Sequence, residues 1–322
     1  MKKIIITGII LLLFLGYAPY QELNDLAVVD FMALDFKDNK YKLYLNIINM
    51  DNKVYELVGD SLGEVFFKAK NINKKKTYYN HLNVALFSTN ILKDQKLLKF
   101  LKDEFTNIDY VTIGTKDDIK DILDKFHQSN DYESFITKEK EDLGSIINVT
   151  FKDLLSNSMD DIKTPSIPLI TIQDNVLHSN GSYLIFKDTY LDNNISKASY
   201  LVSNKITSYS QKVKIDNKYY EVFLSNLKTI INYKDNTLKI TIKGDINSPD
   251  TDNLKEIKEL VISDLKHDIH NFILIELDKQ KSFSNIINYI YLKEKDKPFD
   301  KYKDAKKKII ITLDEKEKSN YD

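Results

Sequence analysis

His267 and His270 stand three residues apart with Asp264 and Asp268 beside them. On a helix that spacing lets two imidazoles and one carboxylate approach a single metal ion. The solvated face of an amphipathic helix collects the same residues without any metal, and no metal or cofactor is expected here. His81 follows the aromatic pair Tyr78-Tyr79 and precedes an apolar run, so it is either a structural hydrogen-bonding group or a contact for a partner. Asp117-Asp118 and Asp160-Asp161 are paired carboxylates. They read as helix-terminus and turn charge, the first pair being favoured by the dipole at a helix start. Neither Ser61-Leu62-Gly63 nor Leu143-Gly144-Ser145 forms a nucleophile elbow, and the eight glycines include no phosphate-cradling loop. Zero cysteines exclude thiol nucleophiles, disulfides, iron-sulfur clusters and thiolate zinc sites. No catalytic residue is assigned.

These residues sit in a chain of 322 residues, 42% hydrophobic and 30% charged, long enough for two or more domains with buried cores. Its 47 basic residues, all lysine, meet 48 acidic ones for a net charge of -1, so no broad basic field exists to attract nucleic acid. Lysine also binds anions as a point charge and cannot fork bidentately. The runs Lys74-Lys75-Lys76 and Lys306-Lys307-Lys308 read as solvated loop and tail, with lipid headgroup contact as the alternative.

Alternating patterns place the elements. LAVVDFMALDF (26–36) and KYKLYLNII (40–48) form a predicted hairpin across Lys37-Asp38-Asn39. A helix capped by Asp60 runs to about Ile72, strands follow at 81–88 and 109–115, and helices at 91–105, 117–126 and 151–159 complete a βαβα pattern. After Pro165 and Pro168, PLITIQDNV and SYLIFKD pair across Asn180-Gly181 and could rejoin the first sheet. From about Ile206 come QKVKI, YYEVFL, LKTIINY and TLKITIKGDI, four closely spaced strands. Asp252 to about Gln280 is one long amphipathic helix with Ile257, Leu260, Val261, Leu265, Ile269, Phe272 and Ile273 on its apolar stripe. A helix near Phe283 to Leu292 and a strand at 308–314 close the chain. The fold class is therefore α+β and multi-domain: mixed α/β sheet domain or domains, then an antiparallel sheet packed against a long helix. The expected boundaries are 1–20 for a signal or anchor segment, 21–204 for the N-terminal α/β region with a subdivision near 165 open, and 205–322 for the C-terminal domain.

The N-terminus specifies a compartment. Lys2 and Lys3 precede an apolar run from Ile4 through Leu11 to Leu15, as in a secretory signal. Gly16 and Ala18 approximate a cleavage site, but Pro19 would follow the cut and Tyr17 is bulky, so retention is expected. Ile4 to Ala18 would span roughly 22 Å as a helix at about 1.5 Å per residue, against a hydrocarbon core of about 30 Å. Local thinning and Tyr17 and Tyr20 at the interface accommodate the difference. Lys2 and Lys3 then stay cytoplasmic and the rest of the chain lies outside.

GYAPYQELNDLAVVDFMALD resembles the start of the C subunit of spore germinant receptors. Glu22, Leu23, Asn24, Asp25, Leu26 and Ala27 match that family's run, and Asp35 matches its strand-ending acid. The similarity continues through KTYYNHLNVALFS, where His81 falls on a Tyr-x-x-His-Leu pattern, then LKFLKDEFTNIDYVTIG, IPLITIQDNVLHSNGSYLIFKDTYL, LKTIINYKDNTLKITIKGDI and the helix end Asp278-Lys279-Gln280-Lys281. Counting back from Glu22, the lipobox cysteine position is held by Tyr17, so Leu15-Gly16-Tyr17 cannot carry a lipid thioether. The retained apolar segment replaces that anchor. Ala33 stands where the family tends to have Gly.

The resemblance implies a non-enzymatic, extracytoplasmic subunit of three α/β domains on the outer face of the spore inner membrane. It would assemble there with A and B membrane subunits for nutrient-triggered germination. Glu22, Asn24, Asp25 and His81 are the candidate partner contacts, against local turn hydrogen bonding as the plainer role of Asn24 and Asp25. Two other functions stay open: an extracytoplasmic solute-binding or sensory module outside germination, and an exported hydrolase or metalloenzyme using His267 and His270.

Overall fold

The computed structural model describes residues 25–50, 53–94, 96–105, 108–129, 135, 146–185, 187–248, 253–284, 286–294 and 297–315. The chain opens on a hairpin of β1 (Leu26–Lys37) and β2 (Lys40–Ile47). Its turn residues Asp38 and Asn39 have φ of 56° and 58°, the left-handed pair that a two-residue type I′ hairpin needs. There follow β3 (Lys53–Gly59), α1 (Leu62–Ala69), β4 (Asn71–Ile72), β5 (Lys75–Tyr78), β6 (Val84–Ser88), α2 (Leu97–Glu104), β7 (Val111–Thr115), α3 (Ile119–Ser129) and α4 (Phe151–Ser158). Then come β8 (Ser166–Gln173), β9 (Val176–Leu184), β10 (Thr189–Leu191) and α5 (Asn193–Val202). The second half holds β11 (Tyr209–Ile215), β12 (Lys218–Lys234), β13 (Thr237–Asn247), α6 (Leu254–Lys279), α7 (Ile286–Glu294), α8 (Pro298–Asp304) and β14 (Lys306–Glu315).

The first sheet has the order β10-β9-β8-β7-β6-β1-β2-β3, with β5 and β4 attached beside the start of β1. Its centre β8-β7-β6-β1 is parallel, and antiparallel strands close both edges. Being central, β1 is covered on both faces, which is why its sequence is an almost unbroken apolar run. A register shift between Val29 and Phe31 switches its parity. Ala27 and Val29 before it, and Met32 and Leu34 after it, face one core; Phe31 and Ala33 face the other. The smaller core is capped by Ile119, Ile122, Leu123 and Phe126 of α3. The larger carries α1, α2, α4 and α5 and continues into the second half of the chain.

The second sheet, β11-β12-β13-β14, is antiparallel through β13, and β14 joins β13 in parallel. Its strands alternate buried and exposed along β13, so one face is covered. α6 packs on β11 and β14, α7 on β12, and α5 touches both α6 and β9, joining the two sheets.

The mixed α/β region followed by a sheet backed by a long helix is the architecture expected from the sequence. Local differences have physical causes. Ser61, not Asp60, caps α1: its hydroxyl accepts from Glu64 N–H at 3.2 Å, and Glu64 Oε2 accepts from Asp60 N–H at 2.8 Å. That helix ends at Ala69 because Asn71–Ile72 turn back as β4. The β8–β9 hairpin turns at Asp174-Asn175, both with positive φ, while Asn180-Gly181 lie inside β9. YYEVFL and LKTIINY are one strand, β12, interrupted by a bulge where Asn226 has φ 51°. Lys306, Lys307 and Lys308 begin β14 opposite Thr237, Leu238 and Lys239 rather than forming a tail. Among the described residues no helix is long and apolar enough to cross a membrane. The anchor residues Lys2, Lys3, Ile4, Leu11, Leu15 and Tyr17 lie outside the described residues.

Candidate functional site

Of the four residues expected to contact partners, Glu22 and Asn24 lie outside the described residues. Asp25 is exposed immediately before β1, whose first residues pair in parallel with β5: Leu26 with Lys76 and Val28 with Tyr78. His81 follows β5, exposed, with its ring 5.9 Å from that of Tyr78. The intervening turn is set by the Leu82 N–H to Tyr79 C=O bond of 2.8 Å, and Leu82 and Tyr79 turn inward, the latter edge-on to Phe105 at 5.1 Å. The Tyr-x-x-His-Leu run thus buries its leucine, half-buries its second tyrosine and leaves the histidine in solvent. Because β5 and β6 flank the same side of β1, the structure brings Asp25 and His81 to one edge of that strand.

The paired carboxylates are structural. Asp118 Oδ1 accepts from Lys120 N–H at 2.9 Å as the cap of α3, and its other oxygen pairs with Lys37 Nζ at 2.6 Å. That lysine bond, with the capping bond, holds the Asp118 carboxyl below its ordinary range. Asp117 Oδ2 accepts from Thr171 Oγ1 and from Ile172 N–H at 2.7 and 2.8 Å, tying α3 to β8. Asp160 Oδ1 accepts from Ile162 and Lys163 N–H, an Asx turn.

His267 and His270 lie on α6, as the periodicity requires, and both are exposed. His267 Nε2 is 2.9 Å from the side-chain amide nitrogen of Asn271. Among the described residues no group of three His, Asp or Glu is placed to hold a metal ion. His267 does line a cleft of about 770 Å³ between α5, β11 and α6, which His178 of β9 enters from the other sheet. Asp268, also on its wall, is pushed up to about 6 by burial and then by the neighbouring Asp264 carboxylate. Asp264 Oδ2 itself accepts from Gln211 Nε2 at 3.1 Å.

Sequence reading missed a buried acid. Glu276 of α6 is fully buried. Its Oε1 accepts from Phe283 N–H at 3.0 Å and Ser284 N–H at 2.9 Å, with the Ser282 hydroxyl 3.2 Å away. Its Oε2 accepts from the Tyr302 hydroxyl at 3.1 Å. Desolvation pushes Glu276 up to about 7 against these donors, all of which favour the carboxylate. The signal was in the helical stripe: position 276 is four after Phe272 and three after Ile273. An acid on the buried face needs built-in donors, and the loop after α6 supplies them.

Residues 19–172 match a family described as the spore germination protein N-terminal domain. Over this segment, just under half of its length, the chain carries the domain of that spore germination family. The matched segment runs from before β1 through most of β8 and so includes the edge bearing Asp25 and His81. The match agrees with the resemblance to spore germinant receptor C subunits. No curated protein matches the chain. Among solved structures, the crystal structure of the GerBC protein is similar with a TM-score of 0.53 over 89% of this chain and 97% of that one. At 11% identity the likeness is one of fold, and at 89% coverage it takes in the second sheet as well as the first.

Proposed function

We propose that this protein is a non-enzymatic, extracytoplasmic subunit of a spore germinant receptor, assembling with A and B membrane subunits for nutrient-triggered germination. The observation that carries this reading is the family match over residues 19–172. The likeness in fold to the GerBC protein over nearly its whole length supports it. So does the use made of the ionisable groups: Glu276, Asp117 and Asp160 are each occupied by protein donors. In this reading residues 1–20 are the retained membrane anchor on the outer face of the spore inner membrane, with Tyr17 where a lipidated cysteine would stand. Residues 21–204 and 205–322 are the two folded regions. Glu22, Asn24, Asp25 and His81 form the contact edge towards the membrane subunits.

The test is affinity capture of the full chain from detergent-solubilised spore membranes. A- and B-type subunits are expected to co-purify, and the combined Asp25→Lys and His81→Ala changes, both at exposed positions, to weaken that capture without changing thermal stability. Recovery of the chain alone, together with unaltered nutrient germination after gene deletion, would overturn the reading.

A further inference from the structure

A second cleft, of about 410 Å³, opens where three connections meet: the segment joining α4 to β8, the end of α5, and the loop between α6 and α7. It lies within the range of about 300–1,000 Å³ usual for small-molecule sites. Its floor is fixed by backbone bonds between distant parts of the chain, Thr164 N–H to Ser282 C=O and Ser282 N–H to Ile162 C=O, each 2.8 Å. The loop that makes this floor is the one whose amides hold Glu276. The cleft walls are therefore rigid on the side facing the core.

The wall groups are unevenly matched in charge. Lys163 and Lys205 both line the cleft, against a single carboxylate, Asp153. Asp153 is occupied in a capping box, accepting from Thr150 N–H at 3.0 Å and lying 3.1 Å from the Thr150 hydroxyl. Among the described residues Lys163 makes one ion pair, a distant one of 3.8 Å to Asp160. Lys205 takes part in none of the ion pairs found among the described residues. Its residue is exposed overall, yet enough protein surrounds its ammonium that desolvation lowers its pKa, helped by the like charge of Lys163 and opposed by Asp153.

Ser203 gives an independent pointer to a ligand. It is 8% exposed at the C-terminal cap of α5 and lines the same cleft. Its Oγ is buried and has no hydrogen-bond partner among the described residues. A buried hydroxyl left unpaired is unfavourable, and an acceptor entering the cleft that Ser203 lines would satisfy it. An ammonium that makes no ion pair among the described residues and an unpaired hydroxyl ask for the same ligand chemistry: an oxyanion that accepts from both.

We infer that this cleft binds a small water-soluble oxyanion, a carboxylate or phosphate group, with Lys205 as the charge, Lys163 as a second cation and Ser203 as a hydroxyl donor. Because Lys presents a point charge without the planar fork of Arg, the site selects charge more than ligand geometry. Its walls come from segments before and after the junction of the two sheets, so an occupied site ties those segments together. The inference concerns the isolated chain and does not rest on the receptor reading.

The test is thermal unfolding of the detergent-solubilised full chain in rising inorganic phosphate or acetate, with chloride at matched ionic strength as the control. Binding to the folded state alone raises the midpoint with the logarithm of ligand above Kd. A rise in one of the two oxyanions beyond that in chloride is expected. It should be retained in Lys205→Arg and require at least tenfold more anion in Lys205→Gln. Ser203→Ala should weaken it by a smaller factor. Phosphate and acetate both acting no differently from chloride would overturn the inference, as would an unchanged response in Lys205→Gln. Lys205 is exposed and off the core, so loss of folding does not confound that variant; Lys163→Gln provides a second measurement of the same charge.

Discussion

Tyr302 of α8 donates its hydroxyl hydrogen to Glu276 Oε2 of α6 at 3.1 Å, and both residues are completely buried. The bond fastens the C-terminal helix to the long one at the only point where α6 turns an acid inward along its buried stripe. Replacing Glu276 by Ala leaves two loop amides and a phenol without an acceptor, so a loss of about 2–4 kcal/mol is expected. Tyr302→Phe removes one donor and leaves the rest intact, with an expected loss of about 1–2 kcal/mol. Urea unfolding of the two variants checks the order; equal stability of Glu276→Ala and the native chain would refute the account.

The same carboxyl makes stability depend on pH in a direction opposite to most acids. Its folded pKa, raised to about 7, exceeds the unfolded value near 4.5, so the folded state binds the proton more tightly. The contribution of this group is full below the unfolded value and is lost as pH rises through about 7. Asp118, Glu64 and Asp188, whose pKa values are lowered, act the other way and lose their stabilisation as pH falls. The Glu276 share is isolated by subtracting the unfolding free energy of Glu276→Gln from that of the native chain. That difference should decline by about 3 kcal/mol between pH 4.5 and 7 and then level off.

Gly181 sits inside β9 with φ +74°, and a Cβ there would lie 2.0 Å from the Leu191 carbonyl oxygen. The close approach lets Asn193 at the start of α5 accept from Gly181 N–H, locking the β9 edge to that helix. Gly181→Ala meets both a disfavoured backbone region and a fixed backbone atom, and should destabilise by more than about 3 kcal/mol. Gly63, within α1, has only the Ser61 hydroxyl 3.9 Å from its would-be Cβ. Gly63→Ala should instead stabilise by about 0.5–1 kcal/mol through helix propensity and a less flexible unfolded chain. Chemical denaturation midpoints moving in opposite directions would confirm the contrast.

Gly181 also shows what local sequence can and cannot reveal. Asn-Gly between apolar runs is a strong hairpin signal, yet here the turn falls on Asp174-Asn175, and the glycine answers to a tertiary approach from Leu191. Asp-Asn pairs at 38–39, 174–175, 216–217 and 235–236 all carry the positive φ of a two-residue turn. In a chain with eight glycines they are the working hairpin signal, and they separate β11, β12 and β13 correctly. The central strand β1 and the stripe of α6 were legible because burial on two faces, or on one helical face, leaves a periodic record. The β12 bulge leaves no such record, so one strand reads as two. The 410 Å³ cleft was invisible for another reason: its walls come from positions between Ile147 and Ser284, and none of those segments carries a motif alone.

Asp118 separates two effects that coincide on one side chain. One oxygen caps α3 through Lys120 N–H, and the other pairs with Lys37. Both partners of the ion pair are substantially exposed, at 51% for Lys37 and 35% for Asp118, so the pair itself is worth little and is screened by salt. The cap satisfies a helix donor in any ionic strength and is worth about 0.5–2 kcal/mol. Lys37→Gln should therefore change stability by less than about 0.5 kcal/mol. Asp118→Ala should lower it by about 1 kcal/mol, most of which persists in high salt. Asp118→Asn, which keeps a capping oxygen but no charge, is expected to behave like Lys37→Gln. A result in which Asp118→Asn is as damaging as Asp118→Ala would assign the stabilisation to charge instead of the cap.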